Sequence, residues 1–305
     1  MIGDLILDEY IQCEALGMSR EDPTLVVCPQ ESKMYLGGAG IVAAHCQGMG
    51  AKVNFYSVVG KDQLSRWAKE KLSEYSVSTN LYSDESRPTT LKQRYRVGQK
   101  TMMRVSHLRQ HEISIELQNK IYEDIKENIK NIDCLIFSDF NYGALPQSLV
   151  EKLIILGKEH KIFMAADSQT SSQMGDIARF SGVDLVTPTE HEARIALRDQ
   201  ASGLHIVAQE LVKKSSANLL VLTLGAAGSL VVDKNLEMDR LPSLNTSPID
   251  ISGAGDSMLV GVALCKALKI DSFKAAYIGA VAAAIQIGRI GNTPITDLEL
   301  QNSLI

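Results

Sequence analysis

An α/β fold with a mostly parallel sheet and a small β lid is predicted from three observations. From about Ile132 onward, strand-like apolar runs alternate with helical patterns, and parallel strands need crossover helices to join them. The 305 residues, 45% of them hydrophobic, are enough to bury one large core, so a single domain over 1–305 is the starting expectation. Two polar, partly alternating stretches, about 9–36 and 81–106, read as exposed hairpins. Brought together they would form a lid beside the main domain; the alternative is two independent surface excursions.

In chain order, "GDLILDEY" from Gly3 is a buried-strand pattern, "GIVAAHCQGMG" from Gly40 a helix and "KVNFYSVVG" from Lys52 a strand. "ALGMSREDPTLVVCPQESKMYL" and "TTLKQRYRVGQKTMMRVSH" supply the lid strands. Then come the strand "CLIFSD", the helix "SLVEKLIILGKEH", the strands "IFMAADS" and "DLVTPT", the helical "HEARIAL" and "HIVAQELVKKS", and the strand "NLLVLTLG". Trp67, at helical spacing from Leu64 and Leu72, reads as core.

The formal charge is −5, from 31 basic and 36 acidic residues intermixed, which argues against nucleic acid or an anionic membrane as partner and for a small molecule. The 5 cysteines are widely spaced with no Cys-x-x-Cys pair, as expected of reduced core residues. Asp4, Asp8 and Glu9 stand where a signal peptide needs a basic start, and "AAYIGAVAAAIQIG" is too short to span a bilayer. A cytoplasmic protein is the expectation, and a start so near the first strand would also suit a domain trimmed from a larger protein.

The chemistry concentrates in "IDISGAGDSM", where Gly253, Ala254 and Gly255 precede Asp256 at the start of a helix rich in small residues. A glycine turn at a helix N-terminus lets an anion approach unpaired backbone N–H groups. A carboxylate beside a bound phosphate is repulsive unless it has work to do. Taking the proton from an acceptor hydroxyl while the amides stabilise a transferring phosphoryl group is such work. The alternative is an acid in a first turn, favoured by the helix dipole. Upstream, "VLTLGAAGSLV" sets Thr223, Gly225 and Gly228 after a buried strand, where a nucleotide can approach the backbone. Glu190 and Glu192 follow the strand "DLV" at the edge where ligands of open sheets bind, so a carboxylate there could hold Mg²⁺ directly or through water.

Two other patterns compete. Gly38-x-Gly40-x-x-Ala43 matches a dinucleotide-binding fingerprint and would imply an NAD-dependent oxidoreductase, but the better buried strand lies some 30 residues earlier. His107 and His111 have a helical metal-binding spacing without the glutamate of a zinc protease, and read as exposed histidines near the lid.

Taken together these segments resemble the ribokinase-like (PfkB) family of sugar kinases, whose signature stands here as "DISGAGDS" from Asp250. Five further segments share its order: "GDLILD", "GGAGIVAAHCQGMGAKVNFYSVVGKD", "SDFNYGAL", "TPTEHEA" and "TLGAAG". Within the family, "GDLILDEY", "SDFNYGAL" and "RPTTLKQRYRVGQKTMMRV" look most like the heptose 7-phosphate kinase domains of ADP-heptose synthases. The resemblance implies a ribokinase-like three-layer sandwich and an ATP- and Mg²⁺-dependent phosphotransferase acting on a sugar or sugar phosphate. It implies Asp256 as general base, Gly253, Ala254 and Gly255 as anion hole, Thr223, Gly225 and Gly228 as nucleotide contacts, and Glu192 in the Mg²⁺ water network. Asp8, Gly37 and Gly38 would hold sugar hydroxyls, and Arg94, Arg96 and Arg104 in the lid could clamp a substrate phosphate. A homodimer through exposed lid strands is a further expectation.

The chain departs from the family pattern at four positions. Ile41 replaces a sugar-binding asparagine, Tyr142 and Gln169 replace lysines, and Thr189 replaces the asparagine of the Asn-x-x-Glu element. These changes leave open a catalytically degenerate member serving as a sensor or scaffold.

Overall fold

The structure, a computed structural model, describes residues 1–170 and 175–304. Among these, a nine-stranded sheet has the order β13-β12-β11-β10-β9-β8-β1-β4-β5. Its parallel part comprises β1 (Ile2–Gly3), β4 (Asn54–Val59), β5 (Ser78–Ser83), β8 (Cys134–Asp139), β9 (Phe163–Ser168), β10 (Leu185–Val186) and β11 (Leu219–Thr223). The hairpin of β12 (Ser229–Asp233) and β13 (Met238–Leu241) adds antiparallel strands at one edge.

Each central strand is apolar on both faces, as parallel strands covered by helices on both sides must be. Side chains alternate between two cores: Leu135 and Phe137 face one, Ile136 the other, and the same split separates Leu220 and Leu222 from Leu219 and Val221. The first core is closed by α3 (Ile115–Asn128), α4 (Gln147–Glu159), α5 (Glu190–Leu197) and α6 (Leu204–Ser215). The second is closed by α1 (Ala39–Gly48), α2 (Gln63–Glu74), α7 (Ala254–Ala267) and α8 (Ser272–Ile287). Three layers result, as the family resemblance implied. The small-residue pattern after Asp256 has a packing cause: a Cβ on Gly261 would lie 2.9 Å from the Gly279 Cα, so α7 and α8 touch almost backbone to backbone.

A second sheet, ordered β3-β2-β6-β7, stands beside the first. It is built from β2 (Leu5–Met18), β3 (Leu25–Gly38), β6 (Thr90–Val97) and β7 (Lys100–His107). The opening apolar run is thus two strands: β1 ends at Gly3, and β2 carries the chain out into the small sheet. The stretches 9–36 and 81–106 meet there, but the second begins too early, because Leu81–Ser83 complete β5 of the large sheet. Tyr82 settles that boundary: its ring is buried against the first core and its hydroxyl donates to Asp124 at 2.6 Å. Trp67 is half-buried against the second core, and all 5 cysteines are free. Among the described residues no helix is long and apolar enough to cross a membrane.

Candidate active site

The C-terminal ends of the parallel strands and the inner face of the small sheet enclose a cavity of about 970 Å³. Of the residues singled out from the sequence, Asp8, Gly38, Arg94, Arg104, Glu192, Thr223, Gly225, Gly228, Gly253, Ala254, Gly255 and Asp256 all line it. Gly37 does not; it packs against the Asp8 carboxylate, where a Cβ would collide with Oδ2. Arg96 is also outside the lining: it is buried over the Tyr10 ring and donates to the Gln99 carbonyl at 2.9 Å.

Gly253 is the N-cap of α7 with φ 79, a left-handed conformation that glycine adopts without strain. That cap turns the chain so that the first turn of the 14-residue helix opens on the cavity. Unpaired N–H groups and the helix dipole then favour an anion there. The turn is held from behind by Gln286, whose amide donates to the Ser252 and Gly291 carbonyls and to Asn292. Asp250 adds a second brace, accepting from the Ser252 N–H at 3.1 Å, the Gly291 N–H at 3.2 Å and the Tyr10 hydroxyl at 2.9 Å. Tyr10 belongs to β2, so this bond ties the small sheet to the turn.

Asp256 sits in the first turn of α7 and is only 5% exposed. Burial, reinforced by the Asp8 carboxylate and opposed by Lys92, with Glu192 adding a smaller push, raises its carboxyl to about 7. A helix-start acid stabilised by the dipole would be lowered instead, so desolvation outweighs the dipole here. Asp167, at the end of β9, is raised well above the carboxylate range by burial and by Glu192 and Asp256. The Gln169 amide lies between the two acids, donating to Asp256 Oδ1 at 3.1 Å and Asp167 Oδ2 at 3.2 Å.

Facing these acids, the small sheet presents three cations. Lys92 and Arg94 are two apart on β6 and share a face, while Arg104 is the cross-strand partner of Arg94. Arg94 also pairs with Asp8 at 3.1 Å. Lys92 lies over the rings of Phe140, at 5.0 Å, and Tyr142, at 5.2 Å. The loop bearing those rings is pinned by buried Asp4, which accepts from the N–H groups of Phe140, Tyr142 and Ala144.

Glu192 closes a capping box with Thr189: it accepts from the Thr189 N–H and hydroxyl, and its other oxygen accepts from the Thr170 N–H. Its oxygens suit Mg²⁺ as hard donors, and with these bonds already made they fit a cation held through water. Thr223, Gly225 and Gly228 form the rim where β11 turns into β12.

The four departures have local explanations. Ile41 is fully buried in the second core and does not line the cavity. Thr189 caps α5. Tyr142 is buried, and its hydroxyl has no hydrogen-bond partner among the described residues. Gln169 bridges two carboxylates, as described above. The Gly38 to Ala43 pattern opens α1 after β3, an edge strand of the small sheet that pairs antiparallel with β2, which is not the parallel-strand context of a dinucleotide fingerprint. His107 ends a strand and bonds Gln93, His111 bonds Ser86, and no cluster suited to a metal occurs among the described residues.

Sequence reasoning missed Lys92, Phe140 and Asp167 as cavity residues, and Tyr10 as the brace. Lys92 had a signal in the period-two pattern Lys92, Arg94, Arg96. Asp167 had one as an acid ending the buried run "FMAAD".

Comparison with known proteins bears on the same site. The Bifunctional protein HldE of Helicobacter hepaticus is 28% identical over 309 residues, covering 98% of this chain and 62% of its own length. That of Desulfatibacillum aliphaticivorans is 29% identical, with 100% and 62% covered. The chain therefore spans under two thirds of these relatives. Phosphofructokinase-2 of Escherichia coli shares the fold with a TM-score of 0.81 at 16% identity, over 99% of this chain and 97% of that one. The ribokinase of Arabidopsis thaliana, complexed with ribose and ATP, does so with a TM-score of 0.77 at 15% identity, over 99% and 97%. Residues 1–297 match the family described as pfkB family carbohydrate kinase, and with its sheet, turn and cavity in that arrangement the chain belongs to the pfkB family of carbohydrate kinases.

Proposed function

We propose that the protein is an ATP- and Mg²⁺-dependent kinase that phosphorylates a hydroxyl of a sugar phosphate resembling heptose 7-phosphate, with Asp256 as general base. One observation carries this reading. A single cavity holds a buried carboxylate at a helix N-terminus, a glycine rim suited to a nucleotide and, across from them, Lys92, Arg94 and Arg104. The last three fit a second anionic group on the acceptor, distinct from the transferring phosphoryl group. The family likeness and the HldE relatives support the same class of substrate.

Thr223, Gly225 and Gly228 would flank the nucleotide, and Glu192 would hold Mg²⁺ through water; the cation, when bound, neutralises charge on the phosphates. The acceptor hydroxyl lies against Asp256, whose raised basicity suits proton removal near neutral pH. The first N–H groups of α7 stabilise negative charge on the transferring group. Asp8 and Gly38 meet the sugar, and the small sheet serves as a lid excluding water. Exposed Leu16, Met18, Leu25 and Val26 at the far end of that lid support a homodimer through it; a monomer in sedimentation at micromolar concentration would count against the dimer.

The test is ADP release from Mg-ATP across a panel of sugars and sugar phosphates, heptose 7-phosphate included. Turnover on one sugar phosphate, lost by about 10²–10⁴-fold in Asp256→Asn with ATP binding kept, is the expected result. Unchanged turnover in that variant refutes the base assignment. ATP binding with silence across the panel would favour a sensor or scaffold.

A further inference from the structure

We propose that Gln169 is the positioning residue of the base: its amide fixes Asp256 through Oδ1, leaves Oδ2 for the acceptor hydroxyl, and does so without placing a positive charge beside the carboxylate. The inference rests on the kinase reading above and deepens it.

The geometry has three parts. One NH₂ group reaches both Asp256 Oδ1 at 3.1 Å and Asp167 Oδ2 at 3.2 Å, which uses both of its protons. Asp167 is itself fixed at the end of β9, within the large sheet, so the anchor is rigid. Among the described residues no donor reaches Asp256 Oδ2, while Asp256 and Gln169 both line the cavity. The held oxygen and the free one are thereby distinguished, and a base needs one oxygen free within reach of the proton it takes.

The type of donor matters as much as its place. Asp8 from β2, Lys92 from β6, Asp167 from β9 and Glu192 from α5 are the charged groups that act on Asp256, and Arg94 from β6 and Arg104 from β7 line the same cavity. Of the four that act on it, three are acids and one is a cation. A lysine at 169 would hold the same oxygen but add a second cation at hydrogen-bond distance, favouring the ionised form and weakening the base. The glutamine orients without that loss.

Three variants separate orientation from charge and from folding. In crystal structures, which need no substrate, Gln169→Leu is expected to release the Asp256 side chain from its rotamer while the backbone of α7 stays in place. An unchanged Asp256 carboxylate in that variant overturns the proposal. In kinetics with Mg-ATP and heptose 7-phosphate, Gln169→Leu should lower kcat by about 10–100-fold, the scale of a misplaced catalytic group, with KM for both substrates within about twofold. Gln169→Lys should keep most of kcat at high pH but move the acid limb of the pH profile down by about one unit. Gln169→Asn, too short to reach both acids, should behave like Gln169→Leu. A loss confined to KM, or a Lys variant whose acid limb does not move, overturns the proposal. Wild-type protein inactive on heptose 7-phosphate, or active Asp256→Asn, speaks against the kinase reading instead, and the crystallographic comparison still decides the role of Gln169.

Discussion

Replacing Asp256 by asparagine should make the protein more stable while it removes activity. The carboxyl is 5% exposed, and its surroundings raise it from the ordinary 3.8 to about 7. Between those values the native state holds a proton that the unfolded chain has released, so ν of the native state exceeds that of the unfolded state and stability falls as pH rises. The penalty is absent below about pH 4, grows through the window and is complete above about pH 7. Some three pH units at about 1.36 kcal/mol each give a ceiling of about 4 kcal/mol at pH 8, and about 1.6 kcal/mol at pH 5. Cavity water reduces both, so about 2–4 kcal/mol at pH 8 is the expected gain. Asparagine has nearly the same shape, can still accept from Gln169 through its carbonyl oxygen and can turn its NH₂ toward the cavity, so no new void offsets it. Asp4, also raised, remains in both proteins and cancels in the difference, while Asp167, raised in part by Asp256, is relieved in the variant and adds to the gain in the same direction. Urea unfolding of wild type and Asp256→Asn at pH 5 and pH 8 measures the effect. If the variant is no more stable at pH 8, or its advantage does not shrink at pH 5, then Asp256 is not a buried, strained carboxylate and the electrostatic account of the site fails.

Other changes probe the supports of the site. Tyr10→Phe removes the hydroxyl bond to Asp250 and keeps the ring that Arg94 and Arg96 stack upon; it should cost about 1–2 kcal/mol in urea unfolding, since Asp250 retains two backbone donors. Its kinetic signature is a higher KM for the sugar with ATP affinity unchanged, because the lost bond joins the lid to the turn. Gly253→Ala forces a left-handed alanine against Asn292 and should cost about 1–3 kcal/mol in the same assay with loss of turnover; near wild-type stability would contradict the cap conformation. Lys92→Met should raise KM for a phosphorylated sugar by about tenfold and leave KM for its unphosphorylated analogue nearly unchanged. Equal effects on both would take Lys92 out of anion recognition.

What could be read from the chain was what is local. Parallel strands announce themselves as apolar runs, and β8, β9 and β11 lie within the runs "CLIFSD", "IFMAADS" and "NLLVLTLG". The signature turn was legible because glycine cap and carboxylate are contiguous. What was not legible depends on pairing between distant segments. Lys92 faces the cavity because β6 pairs in parallel with β2 in the register Asp8↔Lys92, a relation of residues 84 apart that no window contains. The opening strand read as one piece because nothing in "GDLILD" marks the point where β1 hands over to β2; the break follows from the Ser138 carbonyl, which takes the Asp4 N–H and holds that residue to the large sheet as the chain leaves it. The lid boundary at 81 failed for a related reason: a polar edge strand such as "STNLYS" resembles a hairpin arm until its partner is known.

The replaced residues extend the point. Read one at a time, Tyr142 and Gln169 subtract two lysines from a site meant for anions. Folded, Tyr142 becomes one of two rings beneath Lys92, and Gln169 becomes a bridge between acids. Positive charge is thereby concentrated on β6 and β7, across the cavity from Asp256, and withheld from the immediate surroundings of its carboxylate. A cation beside Asp256 would lower its basicity, whereas on the proposed mechanism cations on the lid would attract the substrate and approach Asp256 only as far as Lys92 does. On that mechanism, a substitution that looks like loss in one dimension is, in three, a separation of substrate attraction from proton removal.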